Sequence, residues 1–124
     1  IERMQEYMDA LQQRYDVRLL LTVDEQIHRL ELNMKIRHES FLLLKELMMA
    51  MVQAGASECK ILINLEKSNL QFVMQFENAG SDMVAPTKLL ERTDMQKRLE
   101  SIHGVLDAQV HKTHSIFILL VPVD

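Results

Sequence analysis

Apolar side chains recur every three or four residues in three stretches of the chain, and this spacing predicts amphipathic helices. The stretches cover residues 1–15, 34–54 and about 93–103. The apolar stripe of the first stretch consists of Ile1, Met4, Met8, Leu11 and Tyr15. That stripe either packs on its own domain or continues a helix from an upstream segment, and the pattern leaves both readings open.

Helix ends have their own residue signals. Gly55 follows the long second helix, which is dense in Leu and Met, and it stands where a helix stop is expected. Thr93 or Asp94 is expected to cap the start of the third helix, and Gly104 is expected to end it. Residues 24–32 are ambiguous, and a short helix or a turn fits them.

Runs of branched and aromatic residues predict strands. Residues 17–23 (VRLLLTV) are continuously apolar, as expected for a buried strand. Residues 60–66 and 70–77 are separated by three residues and should form an antiparallel hairpin. One face of the second hairpin strand carries Leu70, Phe72, Met74 and Phe76.

The end of the chain predicts a second hairpin, formed by residues 105–111 and 115–123 and turned around residues 112–114. Residues 78–86 are expected to form a loop. The order of elements predicts an α+β fold, a two-layer sandwich in which about three helices cover one face of a mixed five-stranded sheet. The cover is needed because one face of that sheet carries large apolar side chains.

Composition and charge narrow the class of protein. The 124 residues suit one domain, and the net charge of −4 gives no reason to expect a nucleic-acid or anionic-membrane partner. The single cysteine, Cys59, is expected to be a buried free thiol in a reducing compartment. No apolar run approaches 18 residues, so neither a membrane span nor a signal peptide is predicted. Because the chain begins with Ile1, we expect it to be a piece of a longer protein.

Two stretches resemble the ATP-binding domain of bacterial sensor histidine kinases, which is also similar to the ATPase domains of gyrase and MutL proteins. The first is FLLLKELMMAMVQAGASECKILINLE. Its matching positions are Lys45, Glu46, Val52, Ala54, Ala56 and Ser57. The second is DMQKRLESIHGVLDAQV, which matches at Met95, Arg98, Gly104 and Leu106. The resemblance implies a Bergerat-type ATPase fold over residues 17–124, preceded by an N-terminal helix at residues 1–16.

The family's helix motif places a Glu, an Asn and a Lys on one face of a helix. The resemblance implies that the Asn helps to hold Mg²⁺ on the triphosphate and that the Glu activates the attacking group. The matching positions here are Glu46, Ala50, Gln53 and Ala54. Glu46 retains the implied general base, whereas Ala50 offers no oxygen to a hard cation and Gln53 carries no charge for a phosphate.

The stretch FENAGSD, residues 76–82, matches the family's first glycine box, in which an Asp binds the adenine amino group. The implied nucleotide contacts are Glu77, Asn78 and Gly80, together with Ala50 and Gln53 on the helix. Two later glycine boxes have no glycine here, although Lys88 and Arg92 lie near the second one. The ligand-binding chemistry of the family is therefore largely missing.

Other candidate sites are weak. The five histidines have neither the spacing nor the companion residues of a metal site, and no metal is expected. Residues 37–39 (Arg-His-Glu) resemble a phosphoacceptor sequence only superficially, because they open the long helix. The Met residues at positions 48, 49 and 51 are expected to be core, or, more specifically, to fill the old nucleotide cleft.

The sequence therefore predicts a degenerate histidine-kinase-type domain that acts as a non-catalytic scaffold or interaction module. The first alternative is a divergent but functional kinase domain that binds ATP and Mg²⁺, and the second is a small-ligand sensory domain. No cofactor is expected under the first reading. The expected partners are neighbouring domains of a cytoplasmic part of a bacterial two-component protein, and a response regulator or kinase, but neither nucleic acid nor membrane.

Overall fold

The computed structural model describes residues 2–78, 84–111 and 113–123, with side chains except at positions 78 and 84–87. In these ranges the chain forms five helices and five strands. The helices are α1 (Glu2–Arg14), α2 (Glu25–His28), α3 (Met34–Gln53), α4 (Val84–Glu91) and α5 (Thr93–Ser101). The strands are β1 (Arg18–Val23), β2 (Ala56–Glu66), β3 (Asn69–Asn78), β4 (Val105–Val110) and β5 (His114–Pro122).

The five strands form one mixed sheet in the order β1-β2-β3-β5-β4. Only β1 and β2 are parallel, and both predicted hairpins are present as antiparallel pairs. Strand β2 begins at Ala56 rather than at the predicted position 60, with a register irregularity between Ala56 and Glu58. The turn predicted around residues 112–114 lies partly outside the described residues, because position 112 is among those left out.

One face of the sheet is buried under the helices. The inner-face residues of β3 and β5 that are buried are Leu70, Phe72, Met74, Phe76, Ser115, Phe117, Leu119 and Val121. Helix α3 contributes Leu44, Leu47, Met48 and Met51 to the same core cluster, so the Met residues at 48 and 51 are core as expected. The predicted α+β fold, with a mixed five-stranded sheet and helices packed against it, is confirmed.

Helix α1 packs on its own domain, which is one of the two readings that the sequence left open. Its apolar residues Met4, Met8 and Leu11 are buried in the common core. At its exposed side the Tyr7 ring meets Phe41 of α3 edge-on, with 6.5 Å between ring centroids. The Arg3 guanidinium lies 4.5 Å from the centroid of the Phe41 ring, a distance at which a cation–π interaction is effective.

The prediction that residues 84–86 belong to a loop is wrong, because helix α4 begins at Val84. No helix was predicted between residues 78 and 92. Pro86 is the third residue of α4, and a proline is tolerated there because the first turn of a helix has free N–H groups. Leu89 is buried and Leu90 is half-buried, so α4 is stabilised by packing against the core.

Helix α5 also differs from expectation at both ends. Its N-cap residue is Arg92, with no side-chain cap hydrogen bond, so neither Thr93 nor Asp94 is the cap. The helix ends at Ser101 and closes with the paired hydrogen bonds of a Schellman motif, in which Gly104 N donates to Leu99 O at 2.9 Å. His103 takes the left-handed position with φ of 54°, so Gly104 is not the residue that stops the helix.

Gly104 serves close packing instead. A Cβ atom at this position would lie 3.3 Å from Leu99 Cδ2 and 3.4 Å from Leu119 Cδ1. The absence of a side chain thus lets the start of β4 approach both α5 and β5. The predicted short helix in residues 24–32 is α2, whose first turn is capped by the Asp24 side chain.

Gly55 ends α3 as predicted, and its conformation is testable. Its φ of 101° is strained for a residue with a Cβ, and its N–H donates to Val52 O at 3.0 Å. We expect Gly55→Ala to lower the free energy of unfolding by about 1–3 kcal/mol, measured by urea denaturation. His103→Gly is the converse control and should be neutral or stabilising, since it relieves a left-handed residue. Equal effects of the two substitutions would contradict the assignment.

The Cys59 thiol gives the domain a pH-dependent stability. Burial raises the pKa of this thiol, and the Glu58 carboxylate adds to the effect, so the folded chain keeps the thiol protonated. In the unfolded chain the thiol ionises near pH ~8.5, so unfolding releases a proton above that pH. We expect the free energy of unfolding to fall by up to ~1.4 kcal/mol per pH unit from about pH 8.5 to 10. Cys59→Ala should remove this slope, and an unchanged slope would contradict the prediction.

Candidate functional site

The candidate site is built on one face of helix α3. Glu39, Leu43, Glu46 and Ala50 follow one another at spacings of four, three and four residues, which places them on a common face. The long helix is fixed at its start by Asn33, whose side-chain oxygen accepts a hydrogen bond from Ile36 N at 2.8 Å. The face turns toward α4 and α5, which it contacts through Leu43 and Glu39.

Apolar side chains close the middle of this face. Leu43, Leu44 and Leu47 of α3 meet residues of α4, α5, β4 and β5 around a cavity of about 10 Å³. The residues on the other side are Leu90, Met95, Leu99, Leu106 and Leu119. A cavity of this size is at the lower limit for holding one water molecule, and its lining is apolar. No room for a small-molecule ligand exists at this contact.

An ion pair ties the start of the face to α5. Arg98 Nη1 donates to Glu39 Oε2 at 2.8 Å, and both side chains are about three-quarters buried, with 23% of each exposed. Arg98 matched the family motif in the sequence, but Glu39 was missed as its partner. The signal for Glu39 was its position two turns before Glu46 on the same helix face. The pair connects segments 59 residues apart, so sequence spacing alone does not reveal it.

Glu46, the implied general base, lies two turns further along. It is half-buried, and its Oε2 atom is buried without a hydrogen-bond partner among the described residues. The nearby Arg92 guanidinium has a raised pKa, first because of its hydrogen bonds with Asp94 and to a smaller extent because of the Glu46 carboxylate. Arg92 Nε donates to Asp94 Oδ1 at 3.0 Å, so this cation already has a counterion. Lys88 is exposed.

The other implied contacts lie at the end of α3 and of β3. Ala50 is half-buried and Gln53 is exposed. Because β2 starts at Ala56 directly after α3, and Ala56 is paired with Asn78, the backbone brings the end of α3 to the end of β3. The Glu77 side chain is exposed there. The Asn78 side chain and Gly80 lie outside the described residues.

The described residues contain no group of three His, Cys, Asp or Glu side chains placed to hold a metal ion. They also contain no helix long and apolar enough to cross a membrane. A second, open cavity of about 240 Å³ lies beside α5 and the start of β4, lined by Gln96, Glu100 and apolar residues. The Gln96 amide is engaged with Leu90 O at 2.6 Å, so this groove does not offer the convergent free polar groups of a ligand pocket.

Comparisons with known proteins identify the fold. No protein-family model matches the sequence, and no curated protein matches it in a sequence search. Among solved structures, the blue-light-activated histidine kinase EL346 of Erythrobacter litoralis is similar, with a TM-score of 0.73 at 11% identity. That alignment covers 98% of this chain and 43% of the EL346 chain.

Two further kinases give the same result. The catalytic domain of histidine kinase ThkA has a TM-score of 0.71 at 12% identity, with 98% of this chain and 90% of that chain covered. Histidine kinase AdeS of Acinetobacter baumannii has a TM-score of 0.69 at 12% identity, with 99% and 62% covered. The chain therefore has the fold of histidine kinase catalytic domains, as its sequence resemblance implied, and it spans less than half of the EL346 chain.

The Glu39–Arg98 pair should couple α3 to α5 energetically. We expect Glu39→Gln and Arg98→Met each to lower the free energy of unfolding by about 1–3 kcal/mol, because each leaves a partly buried charge without its partner. The double variant should lose less than the sum of the two. Urea denaturation of the four proteins measures this coupling.

The pair of exposed Lys60 and half-buried Glu58 is the control. Its charged atoms are 3.5 Å apart, and 60% of the Lys60 side chain is exposed. Lys60→Met should change the free energy of unfolding by less than about 0.5 kcal/mol. Strict additivity of the Glu39 and Arg98 variants would show that the pair is not coupled.

Proposed function

We propose that this chain, with the fold of histidine kinase catalytic domains, is a degenerate ATP-binding domain that acts as a non-catalytic scaffold or interaction module in a signal-transduction protein. The observation that carries the proposal is the chemistry of the α3 face. Where the family has a Mg²⁺-binding Asn and a phosphate-binding cation, this chain has Ala50 and Gln53. Magnesium requires oxygen ligands, and an alanine side chain offers none.

The residues present do not fit Mg-ATP. Glu46 supplies the one carboxylate on this part of the face, and a single carboxylate does not build a magnesium site with a triphosphate in the absence of the Asn. Arg92 is a cation near the start of α5, but it is held by Asp94. Each missing charge-assisted contact weakens binding by roughly 1.5–3 kcal/mol. Losing several together moves a micromolar site toward the millimolar range or beyond.

The packing of α3 supports a structural role for the same face. Leu43 and Leu47 are buried against α4 and α5, and Glu39 is paired with Arg98. The helix face that binds the nucleotide in the family thus stabilises this domain through internal contacts. A domain of this kind keeps its shape and its surfaces without a bound nucleotide, which is what a scaffold requires.

The expected setting is a larger protein. The EL346 and AdeS chains are longer than this one, which covers 43% and 62% of them. We place the domain beside other domains of a cytoplasmic, bacterial two-component protein, with a response regulator or kinase as its interaction partner. The net charge of −4 favours such protein partners over nucleic acid.

One observation favours the alternative of residual ATP binding. The Glu46 Oε2 atom is buried without a partner among the described residues, and a buried carboxylate oxygen is usually satisfied. In a divergent kinase domain this atom would meet a nucleophile or a metal-bound water, with Glu77, Asn78 and the Gly80 backbone as further contacts. The same experiment separates the two functions.

Nucleotide binding is tested by thermal unfolding of the chain with and without millimolar ATP or ADP and Mg²⁺. We expect no shift of the unfolding temperature. A ligand at 100 times its dissociation constant would stabilise the domain by about 2.7 kcal/mol, a shift of several degrees. An ATP-binding histidine kinase catalytic domain treated in parallel is the positive control. A Mg²⁺-dependent rise that Glu46→Gln abolishes would establish the alternative.

A further inference from the structure

Strand β4 forms an open edge of the sheet. Among the residues that the structure describes it pairs only with β5, and five of its six residues are exposed, including Val105 and Val110 at 64% and 42%. Its one charged residue is Asp107, it contains no Lys and no Pro, and its pairing with β5 is regular from Val105 to Val110. Natural proteins usually protect such edges with charges, prolines or bulges, because an unprotected edge pairs with other strands.

The opposite edge of the same sheet is protected. Strand β1 lies at that edge, and the Leu19 N–H is bound by the Gln12 side chain of α1 at 2.9 Å. Helix α1 thus supplies a hydrogen-bond acceptor to the edge of β1. Among the described residues, β4 has no comparable side-chain bond to its backbone. Within the described part of the chain, the backbone of β1 is bound by a side chain and the backbone of β4 is not, so the open edge is a feature of β4 and not of the whole sheet.

The hairpin determines which residues of β4 form hydrogen bonds with β5 and which direct their backbone groups to the open edge. His111 N donates to His114 O at 2.9 Å, which makes these two residues a hydrogen-bonded pair. Because such pairs alternate along an antiparallel ladder, Gln109, Asp107 and Val105 exchange hydrogen bonds with β5. The N–H and C=O groups of the residues between them, Leu106, Ala108 and Val110, therefore point to the open edge.

We propose that a second copy of this chain pairs with this edge, β4 against β4 and antiparallel, about a two-fold axis at Ala108. In this register Leu106 lies opposite Val110 of the second copy. Asp107 lies opposite Gln109 of the second copy. The backbone groups of Leu106, Ala108 and Val110 form hydrogen bonds with the same three residues of the second copy. The pairing extends the sheet across both copies.

Charge disfavours the neighbouring register centred on Asp107 and is compatible with an axis at Ala108. Asp107 is the one charged residue of β4, and moving the axis to Asp107 itself would place two carboxylates directly opposite each other, which is destabilising. With the axis at Ala108 each carboxylate faces an amide donor, so the strand is complementary to itself. The pairing also removes Val105 and Val110 from water.

The groove of about 240 Å³ beside the edge leaves space for the second copy. Its lining includes Val105 and Leu106 at the start of β4, with Leu99 and Gly104 behind them. Val110 of the second copy reaches this position when it pairs with Leu106. The interface is small, below the roughly 1,000 Å² of stable complexes, so we infer a weak dimer that depends on concentration.

Cysteine crosslinking tests the register. In Ala108→Cys the two new thiols face each other across the axis at a Cα separation of roughly 5.5 Å, which a disulfide can bridge. In the matched control Gln109→Cys the two residues are offset by two positions, roughly 8 Å apart, beyond disulfide reach. Cys59 is buried and does not compete. Under mild oxidation at about 0.1 mM we expect rapid covalent dimer from Ala108→Cys and at least tenfold slower dimer from Gln109→Cys.

A second variant tests the edge itself. Ala108→Pro removes an outward N–H and leaves the β4–β5 hydrogen bonds intact, so it should fold. Sedimentation equilibrium up to ~1 mM should show concentration-dependent dimer for the native chain and monomer for Ala108→Pro, with circular dichroism confirming the fold. Equal crosslinking of both cysteine variants, or a monomer at all concentrations, would overturn the proposal. Neither measurement involves nucleotide, so its result is independent of the proposed function.

Discussion

The structure depends on the burial of one face of strand β3 beneath helix α3. Strand β3 is central in the sheet, paired with β2 on one side and β5 on the other. Its alternate residues Leu70, Phe72, Met74 and Phe76 are all buried, whereas those between them face outward. In this chain a layer of helices covers the face, and the Leu- and Met-rich α3 contributes to the same core cluster.

The same constraint explains why the fold does not depend on the residues of the candidate site. The core residues Met48 and Met51 of α3 lie on a different face of the helix from Glu46 and Ala50. Substitution on the latter face removes oxygen ligands and charges without opening the core. A fold maintained by apolar burial therefore tolerates changes in the residues of that polar face, which is compatible with the scaffold role that we propose.

The two edge strands of the sheet show that local contacts decide whether the backbone of an edge is accessible to another strand. At β1 a glutamine from α1 binds the edge backbone, and the helix itself is anchored through Met4, Met8 and Leu11. At β4 no described side chain plays this part, and a groove remains beside the strand. Strand order alone makes both of them edges. The neighbouring helices decide which edge is open.

The sequence by itself determined the elements with strong periodicity, which are α1, α3, both hairpins and the stop at Gly55, and it places side chains without a charge at Ala50 and Gln53. These features depend on residue type and spacing along a short segment, so they can be read without coordinates. Helix α4, the position of His103 at the end of α5, the Glu39–Arg98 pair and the open edge of β4 were decided by the tertiary structure. Helix α4, the Glu39–Arg98 pair and the open edge arise from contacts between segments distant in sequence, whose packing outweighs a local signal such as Pro86. His103 takes its position through the hydrogen bonds that close α5.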